Sequence, residues 1–491
     1  MEVEVDISNG HVYHHLGLPE VAVRESRERV KAAIANSGYN FPDDRITVNL
    51  APANIKKDGT GFDLPIAMGI LAATGMVPEK TANQLLMIGE LSLDGRIKPV
   101  TGSLPMAIEA RRLGYPSILV PYDNRREASV VDGLSVVGVK TLSHAVDHVR
   151  GEHPVLPEAF DPRKVLDHDP LPASDFSEVV GQQHVKRAME IAAAGNHNLI
   201  MIGPPGSGKT MMAKRFAGIV PAMSFDEAIE TTKIFSVAGL LKKDQALVVR
   251  RPFRAPHHTI SDAGMIGGGN VPRPGEVSLA HNGVLFLDEL AEFKKPVLEG
   301  LRQPLEDRRV TISRAAMSIT YPSGFMLVAA LNPCPCGYFS HPEKPCQCSY
   351  NEVKRYRNKI SGPLLDRIDV HVEVPPVAYR DLANAAPEES SAEIRRRVTA
   401  ARTIQSCRFA GEKGVATNSQ MKNRHLRKYC EIDPTSARLL ETAVDKLNLS
   451  ARAYHRVLKI ARTIADLDNS DRILPDHIAE AVQYRSLDRA I

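Results

Sequence analysis

Tryptophan is absent from this sequence, and aromatic residues make up only 5% of it. Surfaces that stack single-stranded bases lean on such rings, so their scarcity argues against a base-stacking platform. Cysteine is scarce too: six in 491 residues are too few for a disulfide scaffold and make the reducing cytoplasm the default location. No uninterrupted apolar run reaches the roughly 18 residues of a membrane-spanning helix. The opening MEVEVDIS is acidic and has no apolar core, so no secretory signal is expected. Charge of one sign is not in excess either. A net charge of +4 excludes a uniformly basic nucleic-acid coat, while local basic clusters can still bind phosphate. What is present, 43% hydrophobic and 24% charged residues, is ordinary for a soluble globular protein. The length suggests about three domains of roughly 150 residues.

Residues 1–150 alternate short apolar strands (RITVNL, SILVPY, LSVVGV) with helical stretches such as VAVRESRERVKAAIANSG, the pattern of an α/β or α+β domain. Residues 151–172, rich in Pro and Asp and without periodicity, read as a linker. From 173 to 378 the near-continuous apolar runs HNLIMIG, GVLFLDE, FMLVAALN and IDVHVEVP predict a parallel sheet covered on both faces. From 379 to 491 strands give way to helices, several opened by Pro, Ser or Asp.

The strongest chemical signal is GPPGSGKT, Gly203 to Thr210, between a strand and the helical MMAKRFAG. That is the setting a phosphate-binding P-loop requires. Gly203, Gly206 and Gly208 let backbone N–H groups curl around phosphates. Lys209 is expected to reach the β- and γ-phosphates, and Thr210 to hold Mg²⁺. Pro204, Pro205, Ser207 and Met211 complete the nucleotide-binding set. GVLFLDE ends a strand on Asp288 and Glu289; Asp288 is expected to bind Mg²⁺ and Glu289 to polarise the attacking water. Asn332 ends FMLVAALN, where a polar tip can orient that water or the γ-phosphate.

In order and spacing, VVGQQHVKRAMEIAAAG, GPPGSGKT, GVLFLDE, LVAALN and SGPLLDRIDV resemble a magnesium-chelatase-like AAA+ ATPase. RPFRAPHHTISDAGMIGGG, PRPGEVSLAHNGVLFLDEL, LRQPLEDRRVTISRA, NPCPCGY and SARAYHRVLKIARTIADL narrow the resemblance to the YifB/ComM family. It covers the chain from about residue 15 to the end. It implies an α/β P-loop ATPase core with a C-terminal helical lid, a homo-oligomeric, hexameric ring, ATP and Mg²⁺ as cofactors, and DNA as partner. The best-understood members move DNA branch points during recombination of incoming DNA.

The resemblance also assigns roles. Arg367, between Asp366 and Asp369, matches the arginine finger inserted in trans into a neighbour's ATP site, where a guanidinium stabilises the charge on the transferred phosphoryl group. A local ion pair is its alternative. Arg452 matches the second sensor arginine of the lid and is preferred over Arg456, one turn on, for reaching the γ-phosphate. Val180 and Gly181, with Gln182, match the segment flanking adenine. RRVTISRAAMSITYP, residues 308–322, reads as a hairpin that in similar helicases points into the ring's channel, so Arg314 is the candidate DNA-phosphate contact. RRPFRAPHH, residues 250–258, is a second basic stretch, for DNA or a neighbouring subunit. Cys334, Cys336, Cys346 and Cys348 fall in one short window. A Cys₄ Zn²⁺ site is chemically sensible, with His341 able to replace one ligand; reduced structural thiols are the alternative.

KKDGTGFDLPIAMGILAATG and IGELSLDGRIKPVTG resemble the proteolytic domain of Lon proteases, a ribosomal S5 domain 2-like fold. Its Ser–Lys chemistry is not expected. The serine position reads Gly59-Thr60-Gly61-Phe62, and the lysine position reads Gly102-Ser103-Leu104-Pro105. Ring assembly or DNA guidance is the expected role. Family members begin further upstream, and GHVYHHLGLPE departs from their pattern, so either the first strand of this domain is missing or the start is misassigned. Two other functions fit the ATPase motifs: a metal-chelatase motor subunit and an ATP-assembled, non-catalytic scaffold.

Overall fold

A computed structural model of the chain describes residues 1–57, 59–161, 174–314, 317–339, 341–376, 388–412, 414–447 and 449–485. The boundary at 378/379, the hairpin tip at 315–316 and much of the expected linker lie outside the described residues. The chain divides into two compact units. One is Met1–His168 with Ser224–Val249, the other Asp169–Met223 with Arg250–Ile491.

The second unit is built on a five-stranded sheet in the order Phe253–Arg254, Val284–Leu287, Met326–Leu331, Leu199–Ile202, Val370–Glu373. Every neighbouring pair is parallel. The three central strands are buried at every residue, as a sheet covered on both faces requires. Alternation along each strand then sorts side chains onto two cores. Leu199, Met201, Val284, Phe286, Val328 and Ala330 join one, while Ile200, Ile202, Leu285, Leu287, Leu327 and Ala329 join the other. The helix Gln183–Gly195 and the C-terminal helices pack on the first core. In the helix Ala451–Leu467, Val457, Ile460, Ala461 and Ile464 recur at helical spacing and are buried there, the stripe of an amphipathic helix.

In the N-terminal unit, Arg45–Ala51 is the middle of a three-stranded sheet. It pairs antiparallel with Glu2–Ser8 along the full length of both strands and parallel with Tyr13–Leu16. A parallel sheet of Leu85–Met87, Ser117–Pro121 and Ser135–Val139 forms a second layer. Sequence order puts Ser224–Val249 inside the 173–378 block, yet it folds with this unit. Its helix Phe225–Ala238 opens on a capping box of Ser224 and Glu227, and Phe225, Ile229 and Leu247 join the core around Leu104 and Ala107. Where a serine protease dyad would lie, Thr60 donates to the Glu90 carboxylate, and Ser103 starts the helix Ser103–Arg112.

Candidate nucleotide site

The P-loop leaves the strand Leu199–Ile202 and enters the helix Lys209–Ile219. Two of its glycines have left-handed backbones, φ +79° at Gly206 and +88° at Gly208, which side chains disfavour. Gly203 is required for a different reason: a Cβ there would stand 2.1 Å from the Val374 carbonyl oxygen. The Ser207 hydroxyl is buried with no partner among the described residues, a polar atom available to a phosphate.

Lys209 is 8% exposed. Its ammonium donates to the carbonyls of Gly203 (2.7 Å) and Pro204 (2.9 Å) and to Asn332 Oδ1 (3.2 Å). Burial draws its pKa below the usual lysine value, opposed by the nearby Asp288 and Glu289 carboxylates. Thr210 Oγ1 donates to Asp288 Oδ2 at 2.6 Å. A hydroxyl and a carboxylate in contact, both hard oxygen donors, fit Mg²⁺ with water completing its shell. Glu289 follows at φ +52°, an uncommon conformation for a non-glycine residue. Its carboxylate lies 3.6 Å from His258 Nδ1. The His258 ring lies against that of His257, tilted by 33° with ring centres 4.1 Å apart. Nothing local in RRPFRAPHH marks His258 as a neighbour of Glu289; the parallel pairing of Phe253–Arg254 with Val284–Leu287 brings it there. Two arginines of that stretch are engaged within the unit. Arg251 donates to the Asn282 carbonyl at 2.7 Å, and Arg254 grips Glu276 through two bonds of 2.6 and 2.7 Å.

Val180 and Gly181 lie just before the helix Gln183–Gly195. Gly181 N–H and Gln183 Nε2 each donate to the Glu388 carboxylate at 2.8 Å. Gln182 Nε2 donates to the Pro375 carbonyl at 2.7 Å, tying this segment to the end of the Val370–Glu373 strand.

Arg367 donates to the Pro363 carbonyl at 2.7 Å and forms an ion pair with Glu306, so the local pair is present. Its Nε is buried without a partner among the described residues. It lines an open cavity of about 310 Å³ together with Glu306, Arg452, His455, Arg456 and Lys459, near the lower end of small-ligand site volumes. No P-loop residue lines it. The two lid arginines differ. Arg456 is ion-paired to buried Asp369, which also accepts from Asn198 N–H and contacts His197 Nδ1, both at 3.3 Å. Arg452 has no hydrogen bond or ion pair among the described residues, and its charge helps hold the Glu306 carboxyl below the usual range, after the Arg367 bond and charge. The structure thus groups Arg452 with Arg367, not with Lys209.

The hairpin Arg309–Arg314 with Met317–Pro322 is antiparallel. Beside it stands a shorter hairpin, Gly267–Gly268 with Arg273–Pro274. Tyr321 Oη donates to the Pro272 carbonyl at 2.8 Å, and Arg314 Nε to the Gly269 carbonyl at 3.3 Å. Val271 and Met317 are exposed.

Three family descriptions match successive parts of the chain: "Subunit ChlI of Mg-chelatase" over residues 3–124, "Magnesium chelatase, subunit ChlI" over 175–382, and "Magnesium chelatase, subunit ChlI C-terminal" over 388–485. The chain is 42% identical over 495 residues to competence protein ComM of Haemophilus influenzae, covering 100% of this chain and 95% of that protein. It is 42% identical over 493 residues to YifB of Escherichia coli, covering 100% and 94%. A shorter similarity, 29% identity over 136 residues, links 28% of the chain to 24% of Lon protease 2 of Bacillus subtilis.

Proposed function

The chain belongs to the YifB/ComM family of magnesium-chelatase-like AAA+ proteins, and from that premise we propose that it is an ATP-hydrolysing ring motor that drives DNA branch migration in recombination or natural transformation. The observation that carries the ATPase is the contact of Thr210 with Asp288 at the tip of the sheet, with Lys209 bonded to Asn332 beside it. Lys209 holds the β- and γ-phosphates, and the Gly203–Gly208 backbone cradles them. Thr210 and Asp288 hold Mg²⁺, which neutralises phosphate charge. Glu289 polarises the attacking water, and Asn332 orients it against the γ-phosphate.

Oligomerisation enters through Arg367 and Arg452. Both line a cavity free of P-loop residues, which supports their serving a neighbouring subunit's phosphate in the homo-oligomeric, hexameric ring that the family resemblance implies. The DNA reading rests on the family resemblance and on the two bonded hairpins, where Arg314 would meet a backbone phosphate. Among the described residues no helix is long and apolar enough to cross a membrane; the cytoplasm is the proposed location on the strength of the few cysteines. The Lon-like unit would serve ring assembly or DNA guidance without proteolysis.

ATP turnover with and without branched DNA tests this reading. Stimulation of several-fold by a four-way junction is expected. Turnover indifferent to DNA would favour a chelatase-type motor or an ATP-assembled scaffold.

A further inference from the structure

The loop after Asn332 carries chemistry that the nucleotide site does not use. It joins the Met326–Leu331 strand to the Tyr350–Arg357 helix, and so long a connection without its own secondary structure is uncommon unless it has a function. It holds two Cys-x-Cys pairs, and all four Sγ atoms lie within 4.8 Å of one another. Cys334 Sγ is 3.3 Å from Cys336 Sγ and 3.7 Å from Cys346 Sγ, and the last two are 3.6 Å apart. All four are free thiols, well beyond the roughly 2.05 Å of a disulfide. Four sulfurs bound tetrahedrally to one ion at about 2.3 Å would stand about 3.8 Å apart. The three separations among Cys334, Cys336 and Cys346 lie close to that spacing, and Cys348 stays within 4.8 Å of each.

The backbone around the sulfurs suits thiolates. Phe339 N–H donates to Cys334 Sγ at 3.3 Å, and the N–H groups of Tyr338 and Gln347 bond Cys336. Such outer donors orient and stabilise metal-bound sulfur. Thiols alone are weak hydrogen-bonding groups and give no reason to gather four. His341 is not a fifth member: its Nδ1 accepts from the backbone N–H groups of Glu343 (3.1 Å) and Lys344 (3.0 Å).

The loop also rests on the nucleotide machinery. Cys334 is fully buried, two positions after the Asn332 that receives Lys209. Gly337 has φ +82°, and a Cβ on it would lie 2.4 Å from Pro205 Cδ. On the other side Arg357 places its guanidinium 5.1 Å from the Phe339 ring centre and donates to the Pro333 carbonyl at 3.3 Å.

We infer that Cys334, Cys336, Cys346 and Cys348 bind one structural Zn²⁺, which clamps Asn332 and Pro205 in register across the nucleotide pocket. The ion takes the sulfurs as thiolates, their protons leaving to solvent, and supplies the cross-link that a loop without a core of its own lacks. The clamp rests on the nucleotide reading; the zinc site does not.

The test begins with elemental analysis of the full-length protein purified without added metal or chelator. About one zinc per chain, released by a mercurial reagent, is expected. The pair Cys346→Ser and Cys348→Ser should abolish it, while Cys407→Ser, an exposed thiol on the Ser391–Arg408 helix, should not. Less than about a tenth of an equivalent in the wild type, or iron in place of zinc, overturns the site. For the clamp, binding of a fluorescent ATP analogue in excess Mg²⁺ is compared between zinc-loaded protein and the Gly337→Ala variant, which disturbs the Pro205 contact. Affinity lower by about ten-fold with zinc retained is expected; equal affinity overturns the clamp. If loaded wild-type protein binds no analogue, the nucleotide reading fails, and with it the clamp, while zinc stoichiometry still decides the site.

Discussion

Arg367 has local partners in this subunit and, under the proposed finger role, would exchange them for a neighbour's phosphate. In the isolated subunit its guanidinium is held by Glu306 and the Pro363 carbonyl, while Nε stays buried and unpartnered among the described residues. An exposed carboxylate such as Glu306 is a weak hold, typically worth under about 1 kcal/mol, and a phosphate can displace it. Replacing Arg367 by Ala should lower ATP turnover by about 10³-fold or more, with analogue affinity nearly unchanged; normal turnover in a steady-state assay would remove the finger. Arg452→Ala should lower turnover in the same way. Arg456→Ala should act chiefly on stability, because its partner is the buried Asp369. Sequence alone left Arg452 and Arg456 close, one helical turn apart on one face. Only the pairing of Asp369 with one of them tells them apart, and that contact joins positions far apart in the chain.

At the scale of elements, what local chemistry dictates was legible. The P-loop, the acidic strand end and the polar tip at Asn332 each follow from a few adjacent residues, and the buried parallel strands from their apolar runs. Long-range placement was not. The helix Phe225–Ala238 lies in sequence within the 173–378 block, yet its Phe225 and Ile229 pack in the N-terminal unit. His258 stands beside Glu289 only because a two-residue strand pairs with Val284–Leu287. In RRPFR, Arg254 is held by Glu276. Under the DNA reading, Arg314 of the hairpin is the proposed contact. Arg314→Ala should retain basal ATP turnover and lose most DNA-coupled work, measured as junction movement per ATP hydrolysed. An unchanged ratio would remove the contact. The lid link should register in stability: Asp369→Asn strips the buried carboxylate from Arg456 and should cost about 3 kcal/mol in urea unfolding.

For the whole molecule, two buried histidines set a pH dependence. Burial holds His197 and His371 well below the usual imidazole pKa, reinforced by Lys459, Arg456 and Arg402 at His197 and by Arg485 at His371. The unfolded chain takes up protons near pH 6.5, which the folded chain refuses. Their contribution to stability is therefore complete above that pH and is lost as pH falls below it toward the folded values. Thermal unfolding midpoints should drop between about pH 7.5 and 5.5. A flat profile would mean that both imidazoles titrate in the native state as they do in the unfolded chain.

Whether the proposed motor works on branched DNA is decided by ATP-dependent migration of a synthetic four-way junction, with wild type beside Glu289→Gln. Wild type is expected to move the branch point, while the variant binds ATP and leaves the junction in place. A wild type that hydrolyses ATP and never moves the junction would contradict that reading.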